Sequence, residues 1–130
     1  SYAQKYQALK YFRVDKDVRD RQALLRDIKQ TLASQLPTIF GFTTFPSLKT
    51  AKDGFIPVPS GKERATGGHA VMCVGYDDGK QAFKFENSWG TQWGEDGFGW
   101  LPYEYVLRGM TADWWAILDL EWFDTDEFKR

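Results

Sequence analysis

The sequence predicts one α+β domain over residues 1–130, with a main helix packed against an antiparallel sheet. Three observations predict this class. An apolar stripe with helical spacing occurs in the first third of the chain, and short β-branched and aromatic segments follow it, separated by glycine and proline. The last long segment alternates with the period of a strand. The hydrophobic content is 42% and the charged content 27%, which is typical of a globular protein with a single core.

The main helix is predicted between residues 17 and 37. Asp17 or Asp20 serves as its N-cap, because a side-chain oxygen there accepts from the first free backbone N–H groups. Pro37 is expected to end it, since proline lacks the N–H that a helix interior requires. Its apolar stripe is Leu25, Ile28, Leu32 and Leu36, which lie on one face.

The remaining elements are short. Strands are predicted at residues 9–14, 38–45, 69–76, 81–87, 98–101 and 114–123. A short helix is expected at 102–107, with Pro102 in its first turn. Residues 45–68 are longer than an ordinary structureless loop, so we expect a binding rim or a short additional strand there. The end, residues 124–130, is expected to be a solvated tail.

The hairpin around Asp78 decides whether His69, the only histidine, lies beside Asn87. A three-residue loop over 77–79 pairs Tyr76 with Lys80 and puts His69 directly opposite Asn87, on the same face. Gly79 is then the left-handed residue of the loop. A two-residue turn at Asp78 and Gly79 instead places His69 and Asn87 on opposite faces. The pattern leaves both registers open.

A histidine held by an asparagine is oriented for proton transfer but needs a nucleophile to act upon. Cys73 is the only cysteine, which excludes an internal disulfide and a multi-cysteine zinc site. It lies four residues from His69 on the predicted strand, about 13 Å away at roughly 3.3 Å per residue. We therefore expect Cys73 to be a buried packing residue and not the nucleophile.

Two segments carry a resemblance to a known family. GGHAVMCVGYDD (67–78) and FENSWGTQWGEDGFG (85–99) resemble the C-terminal half of papain-like cysteine peptidases, especially their bacterial branch, and a weaker match extends over residues 24–42. The resemblance implies the papain-like C-terminal, or right-hand, domain. That domain is a curled antiparallel half-barrel with one main N-terminal helix and short further helices.

The resemblance also implies roles for individual residues. His69 matches the catalytic histidine, Asn87 the asparagine that orients it, and Trp89 the indole that covers their hydrogen bond and lines the leaving-group side of the cleft. The other matching positions are Gly41, Gly67 and Ala70 in the main specificity pocket and Gly68 at the cleft edge. The two pocket glycines imply room for a bulky apolar substrate side chain.

The nucleophile motif of the family, a Gln followed by Cys-Gly-x-Cys-Trp, is absent. Its usual spacing places the nucleophile about 60–80 residues before Ser1. The chain is therefore expected to be the C-terminal half of a cysteine peptidase that hydrolyses peptide bonds through a Cys-His-Asn site. Without the half that carries the cysteine, the chain is expected to be inactive. The alternative is a homologue without a nucleophile that acts as a peptide-binding or protein-interaction module.

The expected partners follow from this interpretation. They are a peptide or protein substrate and an N-terminal, Cys-bearing half; in isolation, the face meant for that half is expected to drive dimerisation or strand exchange. A net charge of −1 gives no reason to expect nucleic acid, and no apolar run approaches the roughly 20 residues that span a membrane. No metal or cofactor is expected. The sequence leaves open whether a soluble chain of this kind is cytoplasmic or exported.

Overall fold

The computed structural model describes the backbone of residues 5–16 and 20–124, and the side chains of residues 10–16 and 20–118. Within these residues, six antiparallel strands form one open sheet in the order β1-β6-β2-β3-β4-β5. The elements are β1 Lys5–Arg13, α1 Arg21–Ala33, β2 Thr38–Thr44, β3 Gly67–Asp77, β4 Ala82–Glu86, β5 Phe98–Pro102, α2 Glu104–Leu107 and β6 Thr111–Asp124. This confirms the predicted α+β class with one main helix.

Helix α1 begins at the second of the two predicted caps. The side chain of Asp20 accepts from the Ala23 N–H at 2.7 Å, whereas Asp17 lies outside the described residues. Ile28 and Leu32 are buried and face the sheet, as their spacing predicts. They join a core that includes the buried Trp114 of β6.

The helix ends about one turn earlier than predicted, at Ala33 rather than at Pro37. Gln35 adopts a left-handed φ of 63°. The N–H groups of Gln35 and Leu36 then donate to the carbonyl groups of Leu32 and Thr31, respectively. This is the Schellman arrangement, which satisfies the last helical carbonyls and turns the chain before the proline is reached.

Both predicted registers of the β3–β4 hairpin are wrong. Asp77 pairs with Ala82, which leaves a four-residue loop. The left-handed residue of this loop is Gln81, with φ 52°, and not Gly79. The Asp77 side chain stabilises the loop by accepting from the Gly79 N–H at 2.8 Å, which forms an Asx turn. Neither of the two predicted registers included this turn.

A β-bulge at Val74 places the side chains of His69 and Asn87 on the same face of the sheet. Between Cys73, which pairs with Phe85, and Gly75, which pairs with Lys84, Val74 is the extra residue. A bulge shifts the register by one residue and so moves all later side chains to the other face. His69 and Asn87 consequently share a face, although they are diagonal neighbours and are not directly opposed as the three-residue loop predicted.

The long loop after β2 contains the 3₁₀ helix Pro46–Thr50, and the short additional strand considered for it is limited to isolated bridges, one of which joins Phe55 to Trp100 of β5. Further along, Gly54 and Ile56 exchange backbone hydrogen bonds with Trp100 and so cover the outer edge of β5. Pro102 is the last residue of β5 rather than the first residue of the short helix, which begins at Glu104.

The sheet has one covered face and one open face. Thr38, Phe40 and Phe42 of β2 alternate inward and are buried. The open face carries residues that pair directly across neighbouring strands and are partly or largely exposed, namely Tyr11, Ile39, Met72, Trp115 and Ile117. No helix among the described residues has the length and apolarity needed to cross a membrane.

Candidate active site

The first residue of the site, His69, lies near the start of β3, and Asn87 immediately follows β4. The imidazole Nε2 lies 2.9 Å from Asn87 Oδ1. The same oxygen accepts from the backbone N–H of Ser88 at 2.8 Å. Because a backbone N–H is always a donor, this second contact fixes the amide orientation and leaves the oxygen, not the nitrogen, facing the imidazole.

This orientation determines the tautomer of the neutral ring. Since Asn87 Oδ1 can only accept, Nε2 of His69 carries the proton and donates it to the amide. Nδ1 therefore keeps its lone pair, and it makes no hydrogen bond to any residue in the part of the chain that the structure describes. The imidazole is thus a base with one nitrogen held and the other available.

Asn87 is positioned by backbone contacts as well as by its side chain. Its N–H donates to the carbonyl of Gly97 at 2.9 Å, which ties the end of β4 to the loop before β5. The residue is only 8% exposed. A sheltered hydrogen bond is electrostatically stronger than one in water, so the amide holds the imidazole firmly. Asn87 Nδ2 is buried and has no acceptor among the described residues.

Aromatic rings enclose the imidazole on two sides. Trp89 stacks on it, with centroids 5.1 Å apart and planes 26° apart, and remains 48% exposed. Phe42, directly opposite His69 in the β2–β3 register, meets it edge-on at 5.7 Å and 83°. Behind Trp89 lies Trp93, at 5.2 Å in an edge-to-face contact. Trp89 therefore covers the solvent-facing side of the imidazole, where water and a ligand can reach it. Phe42 forms the wall on the side of the imidazole that faces the core.

Cys73 is remote from this arrangement. It is fully buried, and its thiol lies 3.6 Å from the carbonyl of Gly75. Burial raises the pKa of Cys73 to about 12, so at neutral pH the sulfur is almost entirely protonated and a poor nucleophile. The prediction that Cys73 is a buried packing residue is confirmed.

A depression of about 480 Å³ opens beside the imidazole. Its wall consists of Thr44, Phe45, Pro46, Leu48, Lys49, Thr66, Gly68, His69 and Trp89. Two predicted site residues, Trp89 and Gly68, therefore border the same space as His69. The loop residues 45–49 were predicted only as part of a rim, and the charged member, Lys49, was not singled out because no local pattern marks it.

Of the other predicted binding residues, Ala70 lines a second depression of about 360 Å³, together with Asn87 and Ser88. Gly41 and Ala70 pair directly across β2 and β3, on the open face of the sheet and not on the face of His69. Gly67 pairs with Thr44 at the start of β3. A Cβ added to Gly41 or to Gly67 would come no closer than 3.7 Å to another heavy atom, which is an ordinary van der Waals contact. Their role in substrate binding stays a prediction.

Comparison with known proteins agrees with this fold. The family model described as the papain family cysteine protease matches residues 2–110. Xylellain, a cysteine protease from Xylella fastidiosa, superposes with a TM-score of 0.69 and 37% identity, over 86% of this chain and 40% of xylellain. A cysteine protease from Carica candamarcensis, at 23% identity and a TM-score of 0.56, shares the fold over 84% of this chain and 48% of its own.

Sequence relatives agree as well. An uncharacterized peptidase C1-like protein of Acanthamoeba polyphaga mimivirus is 36% identical over 121 residues, which are 87% of this chain and 38% of that protein. Cathepsin B-like CP3 of Giardia intestinalis is 39% identical over 74 residues, or 55% of this chain and 24% of that protein. The chain spans about two fifths of the length of the viral relative and of xylellain. It belongs to the papain family of cysteine proteases, a family of peptide-bond hydrolases.

Proposed function

We propose that this chain is the C-terminal half of a papain-like cysteine peptidase and supplies the His and Asn of a Cys-His-Asn site. The observation that carries the proposal is the 2.9 Å contact between His69 Nε2 and Asn87 Oδ1, with the amide orientation fixed by Ser88. Such a pair leaves Nδ1 as a positioned base. The base of a cysteine peptidase requires this arrangement, because it must take a thiol proton and later return it to the leaving amine.

The chemistry then divides between the two halves. Nδ1 of His69 removes the proton of an incoming cysteine thiol, and the resulting imidazolium stabilises the thiolate beside it. The thiolate attacks the scissile carbonyl carbon, and the imidazolium protonates the leaving nitrogen. Asn87 holds the ring throughout and accepts from Nε2–H in both protonation states. Trp89 shields this hydrogen bond from water, and no metal or cofactor takes part.

The nucleophile in this proposal comes from outside the 130 residues. Cys73 is the only thiol, is fully buried, and has its pKa raised to about 12. It also lies four residues along β3 from His69, which at roughly 3.3 Å per residue is about 13 Å. A sulfur at that distance cannot exchange a proton with the imidazole.

We propose that the Cys-bearing half covers the open face of the sheet and extends over the end of β3 at Gly67 and Gly68 to the face of His69, where its thiol meets Nδ1. Ile39, Trp115 and Ile117 line an apolar depression of about 330 Å³ on the open face, together with the half-exposed Tyr11. Gly41 and Ala70 lie on the same face, so a pocket bordered by them is completed by the second half. Contiguous apolar surface of this kind favours association, and the chain alone is expected to dimerise or exchange strands through it.

The reconstituted enzyme provides the test. The chain is mixed with a Cys-bearing N-terminal half from a papain-family relative, such as xylellain, and hydrolysis of a fluorogenic peptide with a bulky apolar side chain is measured. We expect hydrolysis that iodoacetamide abolishes, that His69→Ala removes, and that Lys62→Ala, a change on an exposed loop, leaves unaltered. A folded, associated pair without hydrolysis would contradict the proposal.

One observation favours a second candidate, a peptide-binding module without catalysis: the only thiol of the chain is inaccessible. In that case the depression beside His69 and Trp89 binds peptides without cleaving them. Equilibrium binding of an intact peptide to the reconstituted pair, with no product after long incubation, would support this candidate over the peptidase. Turnover of the same peptide would exclude it.

A further inference from the structure

The wall on the core side of the imidazole is a single ring, that of Phe42. It faces His69 across the β2–β3 register, since the two residues are directly paired. Their ring centroids are 5.7 Å apart and the planes stand at 83°. This edge-to-face geometry places the positive rim of one ring against the negative face of the other, which is an attractive arrangement.

Phe42 is itself immobilised. It is 3% exposed and contacts Phe85 at 5.7 Å and Tyr105 at 6.0 Å. Trp89, on the outer side of the imidazole, is by contrast 48% exposed and lies on a loop. The hydrogen bond to Asn87 fixes one ring nitrogen but still permits the ring to tilt about it. Of the two aromatic contacts, only that of Phe42 is made directly by a buried core residue, since Trp89 reaches the core through Trp93.

We propose that Phe42 is a positioning residue for His69, which limits the tilt of the imidazole so that Nε2–H stays on Asn87 and Nδ1 points out of the sheet toward the incoming thiol. The proposal rests on the proposed function, because it concerns the base of that site. It assigns to a core phenylalanine a role in proton transfer that its burial alone does not reveal.

Phe40 offers a matched control. It lies two residues away on the same strand and the same face, is 1% exposed, and stacks on Trp114 at 3.9 Å. Its direct partner on β3 is Val71 and not His69. Replacing either phenylalanine with leucine removes one buried ring from the same core, so the two variants suffer comparable general destabilisation and differ in their contact with the imidazole.

The test uses the full chain and its single histidine. NMR measures the exchange of the His69 Nε2 proton with water in Phe42→Leu, in Phe40→Leu and in the unaltered chain. Loss of one aromatic contact is expected to speed this exchange by about threefold to tenfold in Phe42→Leu. Phe40→Leu should leave it unchanged. Equal acceleration in both variants, or none in Phe42→Leu, would overturn the proposal.

Two further measurements keep the test decisive. If Phe42→Leu does not fold, nuclear Overhauser contacts in the unaltered chain test whether the His69 and Phe42 rings touch in solution. Their absence would overturn the proposal. In the reconstituted enzyme, Phe42→Leu should lower kcat by about threefold to tenfold with KM unchanged, because ring tilt affects proton transfer and not peptide binding. If the unaltered pair is inactive, the result counts against the proposed function. If Phe42→Leu speeds exchange of the Nε2 proton but leaves kcat unchanged in an active pair, the result counts only against the positioning role of Phe42.

Discussion

Alkylation of Cys73 in the native chain is expected to be about fiftyfold to a hundredfold slower than that of a free cysteine at pH 8, before steric hindrance slows it further. Burial raises the pKa of this thiol to about 12. About one thiol in ten thousand is then ionised at pH 8, compared with about one quarter for a cysteine whose pKa is about 8.5. Only the thiolate reacts, so this ratio of fractions lowers the rate, and the higher nucleophilicity of a more basic thiolate offsets it by a factor of roughly 25 to 60.

The assay is mass spectrometry of the chain after timed exposure to iodoacetamide, in buffer and in urea. Denaturation should restore the rate of an ordinary thiol. Cys73→Ala is the companion variant; it removes one buried sulfur, a loss comparable to that of a methyl group, and should cost about 1 kcal/mol of stability without reducing hydrolysis by the reconstituted enzyme. Native alkylation within tenfold of the denatured rate, or loss of hydrolysis in Cys73→Ala, would contradict the assignment of Cys73 as a buried, unreactive packing residue.

Three other substitutions test the core packing, the helix cap and a loop ion pair of the fold. Gly99→Ala places a Cβ 2.5 Å from Phe85 Cζ and 2.7 Å from Trp93, so thermal denaturation should show an overpacking cost of about 1–3 kcal/mol; an unchanged melting temperature would contradict this. Asp20→Ala removes the cap of α1 and should cost about 1 kcal/mol in urea unfolding, and no loss would mean that the cap is not used. The pKa of Asp78 is lowered, first by its hydrogen bond from Lys29 and then by that from Tyr103. Its contribution to stability is therefore present above the unfolded value near 4 and is lost as the pH falls through the lower folded value, below about 4. The difference in Tm between the chain and Asp78→Asn should shrink from pH 6 to pH 3, and a difference independent of pH would exclude this linkage.

Local signals predicted most of the elements. The cap at Asp20, the buried stripe through Ile28 and Leu32, and the inward position of Cys73 all follow from short-range periodicity, which the structure confirms. The helix end was misplaced because Gln35 adopts a left-handed conformation that side chains with a Cβ rarely adopt. A proline is a visible stop signal, and a Schellman turn at glutamine is not.

The proximity of His69 and Asn87 was predicted correctly, but the hairpin register from which it was predicted was wrong. The contact between His69 and Asn87 is present, but it depends on a bulge at Val74 that no turn pattern announces. A bulge adds one unpaired residue to a strand, and its position depends on how the two strands pair along their whole length. For the same reason Phe42 was not predicted beside His69, because the pairing of β2 with β3 joins residues 27 positions apart.

The most direct test of the site is the tautomer of its one imidazole. A long-range ¹H–¹⁵N correlation spectrum of the chain at a pH where His69 is neutral reports which ring nitrogen carries the proton. We predict Nε2–H with slow exchange, retained in Ser88→Ala, whose backbone N–H is intact, and lost in Asn87→Ala. A proton on Nδ1, or a rapidly averaging ring that does not respond to Asn87→Ala, would contradict the oriented base on which the proposed chemistry depends.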